Sequence, residues 1–352
     1  MNKEKLIKSI IYITGSISLF FFILSRFPVF PVTFEDTELL KEEESGIYGD
    51  MYYQCMVDDF KILLPEYYPT FINSGKLVNI DSADILVFGD SFMRMTRVEK
   101  NFIQKLNDTL KLKVFYTQEP FVFNLLGKSN FKTDRKRILL FELVERHIYD
   151  VFSKKHVLKD SKRKLFLELF DYFVPESREL KYQFMLQKSI FSSKVYQAVI
   201  NFRFDIFKVI SDMTPVYKKD PPWLFLYKDV NPKYTSFYRK FSEKDIEMAA
   251  DNIADLSRKM KEMYNFEFVF FPIPNKYTFY NKVINNDIYN GFIPSLLKEL
   301  IKRNVMVVNI YDSFIEYDGL LYYPTDSHWN PEGNRLAFKI FSDQMKSYGF
   351  TF

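Results

Sequence analysis

The stretch Ile85-Leu86-Val87-Phe88-Gly89-Asp90-Ser91 decides the fold that the sequence predicts. Its first four residues are all apolar, which is typical of a short strand buried on both faces. The run ends at Gly89, and a helical pattern follows Ser91. Open α/β sheets keep their sites at the carboxyl ends of their strands. We therefore expect Ser91 at the carboxyl edge of a sheet, in a strand-to-helix turn.

The rest of the chain alternates between apolar runs and helical patterns. Thr96 and Glu99 have the spacing of a capping box for the first helix, and Ser242 is expected to cap a later one. Such alternation predicts a mostly parallel sheet with helices on both faces, joined by right-handed crossovers. The fold class is therefore α/β, and the five predicted strands are 85–88, 114–116, 138–143, 266–271 and 305–310.

A histidine and an aspartate near the C-terminus complement the serine. Asn330-Pro331 is typical of a helix N-cap with proline at the first helical position, so His328 is expected on the loop before the last helix. Asp326 lies two residues away and can orient the ring. A serine becomes a nucleophile when a base takes its proton and a third group fixes that base. Ser91, His328 and Asp326 are therefore the predicted catalytic residues.

Neighbouring residues have structural interpretations. Asp90 is expected to bond backbone amides of its turn, and Trp329 is expected to pack under its loop. His147 and His156 have no carboxylate at the same spacing and are interpreted as ordinary packing or surface residues.

The N-terminal 26 residues predict a membrane anchor. Lysines come first, and the stretch 9–24 is almost entirely apolar, which approaches the length that crosses a bilayer. The lysines predict an inside N-terminus, so the rest of the chain would be extracytoplasmic. Residues 25–28 offer no small-x-small cleavage site, which favours an anchor over a cleaved signal peptide.

The remaining chain divides into a linker and first layer at 27–80, with no chemistry expected there, and a domain at 81–352. Residues 151–240 interrupt the alternation as a mainly helical, aromatic insertion. It is interpreted either as a lid or acceptor-binding wall or as an insertion packed on its own apolar faces.

Composition limits the functional classes. A net charge of +4 without a basic run argues against nucleic-acid binding. The single cysteine, Cys55, allows no intrachain disulfide, and no His-rich or Cys-rich spacing indicates a metal site. We expect neither a metal nor another cofactor.

At these motifs the chain resembles the SGNH/GDSL hydrolase superfamily, and within it the branch typified by the alginate O-acetylation proteins. The resemblance rests on Gly89-Asp90-Ser91 and on Asp-x-His-Trp-Asn-x-x-Gly at 326–333, and it covers roughly residues 80–350 in the order of elements. It implies a flavodoxin-like fold of three layers with a five-stranded sheet. The serine precedes the Asp-His element, as in ordinary GDSL enzymes and unlike the alginate proteins.

Two further segments resemble the same branch. Glu142 and Arg146 lie where ordinary GDSL enzymes place an asparagine that donates to the oxyanion. Arg146 either replaces that donor electrostatically or forms a buried ion pair with Glu142. Lys276, with Tyr280 one turn on, either contacts an anionic substrate or the acid pair of the site, or is a solvated loop lysine.

The resemblance implies a membrane-anchored O-acetyltransferase that acts on a cell-envelope or exported polysaccharide. The expected partners are the polysaccharide acceptor, the membrane and a multispanning protein that supplies the acyl group. Two alternatives stay open: a carbohydrate esterase, because an acyl-enzyme can also pass its acyl group to water, and a catalytically silent scaffold that binds a glycan.

Overall fold

The computed structural model of the chain describes residues 47–65, 80–94, 97, 99–118, 126, 136–153 and 192–351. Within these residues, the architecture is α/β around a five-stranded sheet whose neighbouring strands are all parallel. A separate antiparallel hairpin lies in the predicted insertion. In chain order the strands are β1 Ile85–Phe88, β2 Val114–Thr117, β3 Arg137–Val144, hairpin strands β4 Val216–Lys218 and β5 Trp223–Phe225, β6 Phe266–Ile273 and β7 Met306–Val307.

Helices cover both faces of the sheet. In chain order they are α1 Asp50–Cys55, α2 Ser91–Arg94, α3 Phe102–Asp108, α4 Glu145–Phe152, α5 Ser192–Phe207, α6 Tyr227–Val230, α7 Glu243–Tyr264, α8 Lys276–Tyr280, α9 Phe292–Lys302, α10 Tyr311–Ile315 and α11 Pro331–Ser347. Buried side chains of α4, α7 and α9 pack on one face, and those of α3 and α11 pack on the other. The result is the three-layer arrangement expected of a sheet that is apolar on both faces.

The strand order places the candidate site. In space the order is β2-β1-β3-β6-β7, which is the order of the doubly wound, flavodoxin-like sheets. The chain runs outward from β1 to β2 and then returns to pair β3 on the other side of β1. Ligands bind outside the carboxyl ends of strands at such a reversal. Residues 89–91 follow β1 at this point, and the end of β3 lies beside them.

Buried aromatic rings fill the α4–α7–α9 face. Phe141 on β3 is the centre of this packing, since its ring stacks on Phe88, Phe268 and Phe270 and meets Phe152 edge-on. Alternate residues of β3 point to the opposite face, where Ile138 and Leu140 join the other core cluster. Because both faces are buried, β3 is apolar except for Arg137 at its first position and Glu142.

The structure corrects several local predictions. The amphipathic helix expected after Ser91 is α3, which begins at Phe102 with a capping box formed by Asn101 and Gln104. The predicted box at Thr96 and Glu99 was wrong: Glu99 precedes the helix, and Thr96 lies outside the described residues. The last strand is only Met306–Val307, shorter than the predicted 305–310. The described part of the insertion contains helix α5 as expected, and also the β4–β5 hairpin.

The predicted anchor at 1–26 lies outside the described residues, and so do residues 154–191 of the insertion. Among the residues that the structure describes, no helix has the length and apolarity to cross a membrane.

Phe141→Ala should lower the free energy of unfolding by about 3–5 kcal/mol, because it removes a buried ring from among four others and leaves a cavity. Phe202→Ala is the matched control: its ring is 62% exposed, so a change within about 0.5 kcal/mol is expected. Urea unfolding followed by tryptophan fluorescence measures both. Equal losses in the two variants would contradict the assigned core.

Candidate active site

Ser91 stands at the first position of α2, directly after the turn that ends β1. The N–H of Gly89 donates to the carbonyl of Thr117 at 3.2 Å, which continues the sheet into the turn. A Cβ on Gly89 would lie 2.7 Å from a carboxylate oxygen of Glu142, so only glycine allows this close approach. The turn therefore presents the Ser91 side chain at the carboxyl edge of the sheet.

The loop before α11 carries the histidine and the aspartate. Its two ends are pinned by backbone hydrogen bonds, from Tyr323 to the carbonyl of His328 at 3.2 Å and from Asn330 to that of Leu321 at 2.8 Å. The Asn330 side chain accepts the N–H of Gly333 at 3.0 Å and caps α11, whose first residue is proline. This is the local structure that the Asn-Pro pair predicts.

The structure brings the three predicted catalytic residues together. The Oγ of Ser91 lies 2.7 Å from Nε2 of His328, and Nδ1 of His328 lies 2.7 Å from Oδ1 of Asp326. The backbone N–H of His328 also donates to Asp326 at 3.0 Å. A ring held by a carboxylate on one nitrogen presents its other nitrogen to the hydroxyl as a base.

A buried ion pair fixes the aspartate from its other side. Arg97, in the segment between α2 and α3, donates to Oδ2 of Asp326 at 3.0 Å, and both side chains are 1% exposed. The same guanidinium donates to the carbonyl of Pro65 at 2.9 Å. Burial disfavours the charged carboxylate, but the charge of His328, its hydrogen bond and the charge of Arg97 hold the pKa of Asp326 well below its ordinary value.

The histidine is correspondingly tuned toward its charged form. Burial opposes the imidazolium, yet the charge of Asp326, its hydrogen bond, and the charges of Asp50 and Asp90 outweigh burial and raise the pKa of His328 above 6.5. An imidazole with a raised pKa accepts a proton readily once it is neutral.

Asp50, at the start of α1, is a site residue that the sequence reasoning missed. It accepts the backbone N–H of Ser327 at 2.7 Å and a short hydrogen bond from the Ser327 hydroxyl, and it lies 3.9 Å from Nδ1 of His328. Residues 27–80 were expected to form a linker and first layer with no chemistry, and the structure places Asp50 of this segment beside the loop that carries His328. In the sequence, Asp50 stands out only as the residue after Gly49, and this pair belongs to no recognisable motif.

Lys276 is neither a solvated loop lysine nor a group open to substrate. It is 1% exposed and donates to the carbonyls of Leu224, Pro324 and Asp326 at 2.8, 2.6 and 3.2 Å. Its ammonium also lies 5.2 Å from the ring centroids of Trp223 and Phe225. Burial lowers the pKa of Lys276 to about 7, against the charges of nearby aspartates. Its contact with Asp326 is through the backbone. Lys276 thus joins strand β5 to the loop before α11, and we call these three hydrogen bonds the clamp.

Glu142 and Arg146 have different partners, so the ion pair suggested for them is not formed. Glu142 accepts the N–H of Asp90 at 2.7 Å, and its pKa is raised well above the ordinary value by burial and by the charge of Asp90. Arg146 reaches Asp229 at 3.4 Å. Glu142 thus shapes the turn that carries the serine, and Asp90 accepts the N–H of Phe92 at 2.9 Å, as its turn position predicts.

Tyr280 and Trp329 are packing residues. The hydroxyl of Tyr280 accepts the N–H of Leu321 at 2.7 Å and so holds the strand-like start of the loop. Trp329 is 1% exposed and meets Phe92 edge-on at 5.2 Å, which confirms that it packs under the loop.

The hairpin of the insertion faces inward at the site. Trp223 and Phe225 are buried, and the N–H of Leu224 donates to the carbonyl of Pro324 at 3.0 Å. Both rings pack against the Lys276 ammonium. Because they are buried, a sugar could not stack on them.

Within the described ranges, Asp50, Asp326 and His328 are also a group of side chains that could hold a metal ion, because one possible ligand atom from each lies within 4.8 Å of the others. Each member is already engaged: Nδ1 of His328 with Asp326, and Asp50 with Ser327. The group is therefore arranged as a hydrogen-bonded carboxylate–imidazole network that directs Nε2 toward Ser91.

Comparisons with protein-family models, with curated proteins and with solved structures find no match for this chain. The interpretation of the site depends on its geometry and on the sequence motifs.

Lys276→Met should lower the free energy of unfolding by about 2–4 kcal/mol, because it removes the donor that three carbonyls share, and of these the Pro324 carbonyl keeps the N–H of Leu224. Lys298→Met on the exposed surface of α9 is the control and should change it by less than about 0.5 kcal/mol. Urea unfolding reports on this directly, since the tryptophans Trp223 and Trp329 both lie near the clamp. A Lys276→Met protein as stable as the control would refute the clamp.

Proposed function

We propose that the chain is a membrane-anchored SGNH-type serine acyl enzyme that transfers an acetyl group to a cell-envelope or exported polysaccharide. The observation that carries the proposal is the hydrogen-bonded line from Ser91 through His328 to Asp326, with both contacts at 2.7 Å. Side chains from distant parts of the chain meet there at the carboxyl edge of a parallel sheet. This is the arrangement that the resemblance to the SGNH superfamily implies.

The reaction starts at the serine. The Oγ of Ser91 attacks the acyl carbonyl while His328 takes its proton on Nε2, and Asp326 stabilises the resulting imidazolium. When the tetrahedral intermediate collapses, the bond to the leaving oxygen breaks and His328 returns the proton to that oxygen. An acceptor hydroxyl then attacks the acyl-enzyme and gives its proton to His328. The bond between the acyl carbon and Oγ breaks, and His328 returns the proton to Oγ, which regenerates Ser91.

The N–H of Ser91 supports the developing oxyanion. First-turn N–H groups of a helix have no acceptor within that helix, and Ser91 is the first residue of α2. Glu142 occupies the region where ordinary GDSL enzymes have an asparagine donor, and it is already used to hold the turn. The backbone of the turn is therefore the assigned oxyanion donor.

The direction of transfer is supported by two features of the sequence. The predicted anchor would hold the domain at the outer membrane face, where a multispanning partner could supply the acyl group. The Asp-x-His-Trp element resembles that of polysaccharide O-acetylation proteins. Hydrolysis differs only in the acceptor, because water or a sugar hydroxyl can attack the same acyl-enzyme.

Ser91→Ala and His328→Ala should each reduce the cleavage of a small activated acetyl ester by roughly 10⁴–10⁶-fold, as happens when a member of such a triad is removed. Asp326→Asn should cost roughly 10³–10⁴-fold, because the charge that stabilises the imidazolium is lost and the ring is held in the wrong tautomer. Ser295→Ala on α9 is the control and should keep the full rate.

Initial rates of the full chain in detergent test these expectations, with a serine-directed fluorophosphonate as a second readout. Wild type should form an adduct that maps to Ser91 and is absent from His328→Ala. Folded wild type that neither labels nor cleaves ester, but binds saccharide, would identify a silent scaffold instead.

Acetyl donor, the full chain and a panel of oligosaccharides should yield acetylated sugar by mass spectrometry, and the product should disappear with Ser91→Ala. The reason is that an acceptor hydroxyl held at the site reacts in preference to water. If acceptors leave acetate release unchanged while acetylated glycans lose their acetyl groups, the enzyme is an esterase and the transfer assignment is wrong.

A further inference from the structure

The short segment around α1 is built into the loop that carries His328 and Asp326. The N–H of Tyr52 donates to the carbonyl of Thr325 at 3.2 Å, and the hydroxyl of Thr325 donates to the carbonyl of Tyr48 at 2.8 Å. Gly49 sits between them with φ 94°, and a Cβ there would collide with the carbonyl oxygen of Thr325. Only glycine permits this contact, both by its backbone conformation and by its lack of a side chain.

Asp50 makes the charged part of this contact. Its two carboxylate oxygens bind the backbone N–H and the hydroxyl of Ser327, the residue between Asp326 and His328. One of them lies 3.9 Å from Nδ1 of His328, on the nitrogen that also binds Asp326. The imidazole nitrogen is therefore flanked by two carboxylates, one from each end of the chain.

We propose that Asp50 is a positioning residue of the active site, which holds Ser327 and places a second negative charge beside the His328 ring. This inference deepens the proposed function and depends on it for the catalytic meaning of His328. Residues 48–52 are then part of the machinery and not a linker. Asp50 keeps 29% of its side chain exposed. Burial and the charge of Asp326 raise the pKa of Asp50 above its ordinary value, against the charge of His328 and the hydrogen bonds from Ser327, which favour its charged form.

The charges around the ring come from three elements. Opposite charges within a few ångströms favour the charged form of histidine. Burial opposes that form, and the acids of the loop, of α1 and of the serine turn together raise the pKa of His328. Arg97 pairs with the carboxylate of Asp326, and Lys276 donates to the backbone carbonyl of the same residue. The groups concerned are Asp326, Asp50, Asp90, Arg97 and Lys276.

Asp50→Asn tests the charge, since the amide keeps the size and an oxygen that can accept from Ser327. The expected result is a lower pKa for His328, measured by NMR titration of ¹³Cε1-histidine in the full chain. The chain has three histidines, so the His328 signal is the one missing from His328→Gln. Asp59→Asn is the matched control, because Asp59 pairs with Lys219 and does not contact the loop in the described structure.

The same shift should appear in catalysis. The acid limb of kcat/KM follows the pKa of His328, because the base must be neutral to take the proton. In Asp50→Asn this limb should move to lower pH, while the rate on the plateau falls roughly 10- to 100-fold from imprecise placement of the ring. A role that is only structural would lower the plateau and leave the limb in place.

A His328 titration that is the same in Asp50→Asn and in wild type overturns the proposal. If Asp50→Asn does not fold, Asp50→Ser, which is neutral and retains an oxygen for the Ser327 N–H, carries the same expectation and the same criterion. Failure of the proposed function is seen separately, as wild type that lacks both the Ser91 adduct and ester cleavage. The NMR titration reports the effect of Asp50 in either case.

Discussion

The buried carboxylate of Asp326 is the constraint on which the site depends. A charge that is 1% exposed needs partners of opposite charge or strong donors, and losing one partner of such a pair costs about 3–5 kcal/mol. Arg97 supplies one partner from the segment after the serine, and His328 supplies the other from the same loop. Arg97 follows β1 and Asp326 follows β7, so folding has to bring these two parts of the chain together before the ion pair can form. The same step brings Ser91 to His328.

The balance of charges around the ring decides what kind of base it is. Asp50, Asp90 and Asp326 bring three acids, while Arg97 and the clamp Lys276 bring two basic groups, of which Lys276 has a pKa lowered to about 7 by burial. The local field therefore favours the imidazolium, which is the form that the proposed mechanism would produce when His328 takes the serine proton. In the proposed reaction, a site of this kind would stabilise the charge that develops, in a mostly buried region where water screens charges weakly.

The sequence was informative where a local pattern determines the outcome. β3 and β6 are buried on both faces and are apolar apart from Arg137 and Glu142 in β3 and Glu267 in β6, and Asn330-Pro331 fixes where α11 begins. It was not informative where a long-range contact determines the outcome. Asp50 lies 277 positions from Ser327, and Arg97 lies 229 from Asp326, with no motif beside either. Two possible capping boxes precede α3, Thr96 with Glu99 and Asn101 with Gln104. The local sequence pattern alone does not decide between them.

The place of Asp50 also bears on how the proposed anchor could control the site. Because α1 is bonded directly to the His328 loop, residues 27–49 would be the whole tether between the proposed anchor and the candidate site. Fully extended, that stretch spans at most roughly 80 Å. With such an anchor, this length would set the outer limit on the distance between the bilayer and His328. An acceptor polysaccharide and an acyl donor in the membrane would both have to meet Ser91 within that radius, which favours substrates handled at the membrane surface over those free in bulk solution.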